Sequence, residues 1–460
     1  MPTIKYLIDA ARRRGIPVSP AVQKSGIWRF GQGAVARHVF AAATDRDGLT
    51  GTILARHKGW ANALVAGLGF PATVQRVAHS REELVAQARV LGFPVAVKPL
   101  AAGMGMGVFA EIRTEADLLR AHAGAAPLSP QGMVVERHVA GLDHRLTVCG
   151  GRLAWAVIRH RAQVTGDGVH AVRELINLEN ARRLAADHAA RLKPITIDDE
   201  LVIQLQNQSL TLESRPAAGA PVSLRSVANV ARGGTVEDCT ARVHPAVRDM
   251  AEAIARAARL DVIGVDFITP DIARSWRDVP CAVIEINATP AIFTDAQAAV
   301  MVEALFPPGS DGRIPTVLLV DVVPAAVDLV AGALAAAGGR VGRTDAVETR
   351  LGGAVRCGPG MDIAARVEAL VADPACAALV VAMPAAEIAR GGLPLDRFDM
   401  AIVPAQLMPQ AEAVTAGACC ETVRAEANGM IDAAAVSAAL GRMLRRYTPS
   451  SSAPRVRSLA

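Results

Sequence analysis

Two short runs hold the residues best suited to chemistry. GVDFITP at 264–270 places Asp266 in an apolar, strand-like stretch, and VIEINATP at 283–290 places Glu285 and Asn287 two apart in another. On a strand, residues two apart face the same side. Carboxylates buried without partners are costly, so the acidic residues inside VIGVDFI and CAVIEIN need a reason to be there. If the two runs pair, two carboxylates and an amide form an oxygen-rich cage suited to Mg²⁺ shared with nucleotide phosphates. If they do not, these are ordinary strand residues.

Lysine usage gives a second signal. Among 49 basic residues, lysine occurs only at positions 5, 24, 58, 98 and 193. Lys98 lies in the apolar run FPVAVKPL. A compact ammonium contacts a phosphate as a point charge, whereas a guanidinium acts as a fork. The alternative is a surface lysine whose stem covers apolar neighbours.

These residues must be positioned by a chain of 460 residues, long enough for two or three domains. The net charge of +5 is small for that length. Its basic residues form no block and do not alternate with aromatics, so no nucleic-acid partner is expected. The start, MPTIKYLIDAARRRG, has no uninterrupted apolar segment of the secretory type. The longest apolar stretch, 315–339, is interrupted by Asp321, Pro324 and Asp328. It predicts a buried strand followed by a helix, with no membrane partner. Seven scattered cysteines without CxxC pairs fit a reducing, cytoplasmic setting.

Around the candidate site the pattern alternates helix and strand. HKGWANALVAGLGFPAT predicts a helix closed by Gly67 and Gly69. SREELVAQARVLGFPVAVKPL predicts an N-cap at Ser80, a helix, and then the strand bearing Lys98. AAGMGMGV at 101–108 is a glycine-rich turn, and HPAVRDMAEAIARAARL is a strong helix leading into the Asp266 strand. PPGSDGRIP at 307–315 marks the best domain boundary, followed by a small α/β region with a parallel sheet.

In chain order, Lys58, Lys98, the glycine-rich turn, VVERHV and the Asp…Glu-x-Asn set resemble the ATP-grasp superfamily. The resemblance implies an α+β ATP-grasp fold: an N-terminal pre-grasp part and two subdomains that clamp ATP. It implies that Lys58 and Lys98 contact the nucleotide and that Gly103, Gly105 and Gly107 form a lid. Glu136 and Val139 would lie at the nucleotide hinge, and Asp266, Glu285 and Asn287 would hold Mg²⁺. The EINATP run also resembles the metal strand of D-alanine–D-alanine ligases. A closer resemblance is to the ATP-grasp half of cyanophycin synthetase. It rests on GLDHRLTVCGGRL (141–153), TGDGVHAVRELINLEN (165–180), the 210–235 run and 243–272. There Arg145 and the Arg159 region would face phosphate or substrate, and Arg225 and Asn229 would line the active site. The lid departs from the family in being apolar.

The region after residue 311 resembles the start of a Mur ligase-like domain, and EIARGGLPLDRFDMAIV (387–403) is similar to a later segment of it. Where that family has a glycine-rich loop with a lysine, this chain has VDVVPAAVD. Such a loop binds phosphate through backbone N–H groups and the lysine. The expected organisation is an ATP-grasp ligase domain at 1–310, with its pre-grasp part at about 1–55. A degenerate Mur-like domain at 311–446 and a disordered tail at 447–460 follow it. The expected activity is carboxylate–amine ligation with ATP and Mg²⁺ through an acyl phosphate, on amino acids or short peptides, in a homo-oligomer. The alternative is a pseudoenzyme or partner subunit of a cyanophycin synthetase-like enzyme.

Overall fold

The computed structural model describes residues 2–100, 107–185, 192–228, 230–357, 360–426 and 431–447. The chain divides into two compact units, one built from Ala42–Met301 and the other from Ile4–Ala41 with the residues from Val302 onward.

Two antiparallel sheets organise the first unit. The smaller has four strands in the order Gln75–Ala78, Met133–Arg137, Val95–Pro99, Phe109–Ile112. Helices Arg81–Leu91 and Glu115–Ala125 cover it, burying Leu84, Ala88, Leu91, Leu118 and Ala121 against Val95, Val97 and Val135. The first helix starts where the sequence predicts. Ser80 Oγ accepts from the Glu83 amide at 3.1 Å, and the Glu83 carboxylate reaches back to the His79 amide at 2.7 Å. This reciprocal cap satisfies two amides that the helix itself cannot. Gly92 ends the helix with φ of 78°, a conformation in which a side chain is strained.

The larger sheet has five strands in the order Thr235–Asp238, Arg152–His160, Leu142–Cys149, Val262–Thr269, Ala282–Asn287. Helix Pro245–Ala258 packs on it. Val247, Met250, Ala251, Ile254, Ala255 and Ala258 fall on one helical face and are buried with Leu146, Val148, Ile263 and Val265. Pro245 takes the first helical position, where a missing N–H costs nothing. Strand residues alternate between this core and the opposite face. With Ile263, Val265 and Phe267 in the core, Gly264, Asp266 and Ile268 are left on the other side.

The second unit centres on a sheet with five parallel strands, ordered Arg340–Thr344, Cys376–Met383, Thr316–Val320, Met400–Val403, Thr422–Arg424. Thr349–Leu351 and Ala354–Val355 extend one edge as antiparallel strands that the sequence pattern did not reveal. The apolar stretch 315–339 forms strand Thr316–Val320 and helix Pro324–Ala336. Among the described residues no helix is long and apolar enough to cross a membrane. Segment 4–41, which the resemblance assigned to the pre-grasp part of the ligase domain, packs in this unit. Arg14 donates to the carbonyls of Phe306 at 2.7 Å and Ser310 at 3.0 Å, so it fixes the 307–315 connection. Its three strands, Val18–Pro20, Ile27–Phe30 and Arg37–Phe40, are antiparallel neighbours.

Asp399 is a buried carboxylate at the base of the parallel sheet. It accepts from Thr316 N at 2.9 Å, Thr316 Oγ1 at 3.0 Å and Tyr447 Oη at 2.8 Å. Burial and the adjacent carboxylate push the Tyr447 hydroxyl far above its ordinary pKa, so it stays a donor. A hydrogen bond to a charged group is worth about 1.5–3 kcal/mol. Tyr447→Phe should therefore destabilise this unit by about 2 kcal/mol in urea unfolding, with no change in any activity of the first unit.

Candidate active site

The face of the five-stranded sheet opposite helix Pro245–Ala258 brings the predicted residues together through strand register. Asp266 lies opposite Glu285 on one neighbour and opposite Arg145 on the other. Asn287 lies opposite Gly264, one step along the same face. The pairing that the metal reading requires is therefore present. Two residues further, Asp143 faces Arg159 across the Leu142–Cys149 and Arg152–His160 pair.

These groups form a charge network. Arg145 grips Asp266 with two bonds, one from Nε to Oδ1 and one from Nη2 to Oδ2 at 3.2 Å. Arg159 Nη2 lies 3.1 Å from Asp266 Oδ2 and 2.6 Å from Asp143 Oδ1. Asn287 Nδ2 also points at Asp266 Oδ2, at 3.4 Å. Burial alone would push the Asp266 carboxyl upward, but the two guanidiniums outweigh it and hold this group below the usual carboxylate range. Burial, followed by repulsion from Asp266, raises Glu285 despite Lys58, whose Nζ is 4.0 Å from the Glu285 carboxylate.

Gly264 makes the Arg145 grip possible. A Cβ there would lie 2.9 Å from Arg145 Cδ and 3.1 Å from its Nη1. The obstacle is a side chain and not backbone, so Gly264→Ala should displace Arg145 and leave the sheet intact. The expected result is roughly a tenfold fall in the turnover this site supports, with an unchanged far-UV circular dichroism spectrum.

Lys98 faces this sheet from the smaller one. Its Nζ is 2.5 Å from Glu136 Oε1, and both side chains are buried. Burial opposes the charge on Lys98, and Glu136, Glu285 and Asp266 together more than restore it, so its pKa is raised. Glu136 also accepts from Thr73 Oγ1 at 3.3 Å, and Asn62 Nδ2 donates to that hydroxyl at 3.0 Å. Asn62 lies on helix Lys58–Gly67, which begins with the second predicted lysine.

Next to the carboxylates is a cavity of about 330 Å³. Ala96, Ala110, Val139, Ile268 and Ile284 supply its apolar walls, and Lys98, Glu136, Asp143 and Arg159 its polar lining. Ile284 is the extra residue of a bulge, since the register steps from Asp266–Glu285 to Phe267–Val283. A bulge re-aims a side chain. Here Ile284 joins the cavity wall while Glu285 stays beside Asp266.

Arg225 does not line the cavity. Its side chain is 2% exposed, and its two Nη atoms are held by Asp198 at 2.7 Å and the Thr196 carbonyl at 2.8 Å, while Nε is buried without a partner among the described residues. It ties the strand Pro221–Ser223 region to the helix that Asp198 caps. Gly107 adopts φ of 66°, and a Cβ there would lie 2.8 Å from Leu128 Cδ1 and 2.9 Å from Pro99 Cγ. Gly103, Gly105 and Asn229 lie outside the described residues. Sequence reasoning missed Asp143 and Thr73. Asp143 sits two before Arg145 on one strand, so strand periodicity alone places it on the same face.

The donor set suits a hard cation. Two carboxylates at matched register repel one another, and the third neighbour is an amide. Among the described residues no cluster of three or more His, Cys, Asp or Glu side chains could hold a metal unaided. A site with two carboxylates and an amide fits Mg²⁺ that also takes phosphate oxygens.

Residues 42–301 thus hold a four-stranded sheet presenting a buried lysine beside a five-stranded sheet presenting paired carboxylates, the arrangement that the resemblance to ATP-grasp ligases implies. Within that class the chain resembles the cyanophycin synthetases. It is 31% identical to cyanophycin synthetase of Crocosphaera subtropica over 330 residues, which is 69% of this chain and 38% of that protein. The glutathione biosynthesis bifunctional protein GshAB of Mannheimia succiniciproducens is 31% identical over 259 residues, 54% of this chain and 33% of that one. The chain thus spans less than half the length of the curated relatives it matches. Among solved structures, a bifunctional glutathione synthetase from Pasteurella multocida matches 66% of this chain and 43% of its own, with 24% identity and a TM-score of 0.49. No family model matches the chain.

Proposed function

We propose that this protein is an ATP-dependent carboxylate–amine ligase that joins amino-acid-like substrates through an acyl phosphate. The observation that supports this most is the register match of Asp266 and Glu285, with Asn287 beside them and two lysines facing Glu285. That arrangement adjoins a cavity with apolar walls. The likeness to cyanophycin synthetases and to GshAB supports the same class of substrate.

In this reading the nucleotide base lies between Ala96 and Ala110 on one sheet and Ile268 and Ile284 on the other, beside the Val139 backbone. Its phosphates extend toward Lys98, Lys58 and the carboxylates. Mg²⁺ held by Asp266, Glu285 and Asn287 would neutralise phosphate charge as a Lewis acid. Lys98 and Arg159 hold the remaining negative charge where the substrate carboxylate attacks the γ-phosphate. Glu136 positions Lys98; its carboxylate is already bonded to that lysine and to Thr73. The amine then displaces phosphate.

We read the second unit as a Mur ligase-like domain without nucleotide chemistry of its own. Strand Thr316–Val320 leads through Asp321, Val322 and Val323 directly into helix Pro324–Ala336. No glycine or lysine stands there to cradle a phosphate. A single bond-forming site therefore favours one peptide or isopeptide bond over an alternating polymer.

The test is ADP release from Mg·ATP across pairs of amino acids, dipeptides and β-Asp-Arg-like peptides. Release that needs one acid and one amine, with a product whose mass is their sum less water, supports the ligase. ATP binding without release for any pair, together with stable capture of an active synthetase, would favour a partner subunit instead.

A further inference from the structure

Asp266 is expected to bind metal, yet both oxygens of its carboxylate have protein partners. Its two oxygens are not held alike. Oδ1 takes the short Arg145 Nε bond. Oδ2 has three long contacts: Arg145 Nη2 at 3.2 Å, Arg159 Nη2 at 3.1 Å and Asn287 Nδ2 at 3.4 Å. Oδ2 is the oxygen on the side of Asn287, which shares its strand with Glu285.

The two arginines also differ. Arg145 has Asp266 as its carboxylate partner. Arg159 bridges two carboxylates, and its contacts to Asp143, at 2.6 and 3.1 Å, are at least as close as its contact to Asp266. It also lines the cavity. A guanidinium that loses Asp266 therefore still has an anchor if it is Arg159.

Charge balance points the same way. Lys58, Lys98, Arg145 and Arg159 face Glu136, Asp143, Asp266 and Glu285, four cations against four anions. Arg137 and Arg161 line the same cavity, so a divalent ion added to this ion-paired set, with nothing displaced, meets guanidiniums already on its ligand.

We propose that Arg159 is an exchangeable counter-cation: it occupies Asp266 Oδ2 until a divalent metal takes that oxygen, and Asp143 then retains it at the cavity, where it meets the nucleotide phosphates. Arg145 stays on Oδ1 and orients the carboxylate. Asn287 rotates its amide in the same event, because a metal ligand must present the carbonyl oxygen and not the NH₂. Arg159 and Asp143 are positioning residues for the metal, and metal and nucleotide promote each other's binding because each needs the same guanidinium movement. This inference rests on the metal role proposed above for Asp266, Glu285 and Asn287.

The experiment measures Mn²⁺ binding to the full chain without nucleotide, by the electron paramagnetic resonance signal of free Mn²⁺. Arg159→Gln removes the competing charge and should tighten Mn²⁺ binding about tenfold. Asp143→Asn leaves Arg159 with Asp266 as its one carboxylate and should weaken binding about fivefold. The double variant should behave as Arg159→Gln does, because Asp143 acts through the arginine. A merely structural network predicts weakening in all three, and that result, or no change in any, overturns the exchange. Glu285→Ala separates the two levels. If it abolishes Mn²⁺ binding while the Arg159 and Asp143 variants match the unaltered protein, the exchange fails and the metal reading stands. If Glu285→Ala leaves Mn²⁺ binding unchanged, the metal reading fails and the exchange falls with it.

Discussion

Glu285→Ala should reduce ADP release from Mg·ATP by about a thousandfold while leaving the fold at least as stable as before. Catalysis and stability separate at this residue for a physical reason. In the folded protein burial and Asp266 both disfavour the Glu285 carboxylate, and its nearest cation, Lys58, stands 4.0 Å away. Its side chain is 36% exposed, so removing it opens no sealed cavity. The thermal midpoint should hold or rise slightly. Differential scanning calorimetry beside a coupled ADP assay reads both quantities. A variant that loses stability and turnover together would make Glu285 a structural residue. One that retains turnover would remove it from the metal set.

The parts of this arrangement that local pattern controls were legible in the sequence. Asp266, Glu285 and Asn287 stood out because carboxylates in apolar strands need partners, and strand periodicity put Glu285 and Asn287 on one face. The Ser80 cap and the helix at 245–258 follow from spacing alone. Pairing between distant strands was not legible. That Lys98 meets Glu136 depends on a register in which Lys98 lies opposite Val134, two residues away. No local rule sets that offset. Arg225 illustrates the same limit: its segment suggested an active-site arginine, but Asp198, 27 residues away, holds it. Segment 4–41 packs with residues beyond 302 because Arg14 and Arg313 find carbonyl partners almost three hundred residues away. Side chains with many donors choose partners in space, and sequence separation gives little guide to that choice.

The Lys98–Glu136 pair allows a test in which stability can be restored without function. Both groups are buried, with side-chain exposures of 11% and 5%. Removing one partner leaves the other as an uncompensated buried charge, which costs about 3–5 kcal/mol. Lys98→Met keeps the length of the stem and should destabilise the first unit by about 3 kcal/mol, because among the described residues Glu136 then keeps the Thr73 hydroxyl but no cation within ion-pair distance. Adding Glu136→Gln removes the stranded charge, and the amide can still accept from Thr73. The double variant should therefore recover most of the lost stability in urea unfolding. Turnover should not recover, since neither variant restores an ammonium facing Glu285 and the phosphates. The single variant Glu136→Gln gives the third side of the comparison. It frees Lys98 from its closest anion and should raise the apparent KM for ATP more than it lowers kcat, because the lysine survives but its position is less fixed. Turnover that returned with stability in the double variant would show Lys98 to be a packing residue, and the nucleotide charge would then have to be met by Lys58, Arg145 and Arg159 alone.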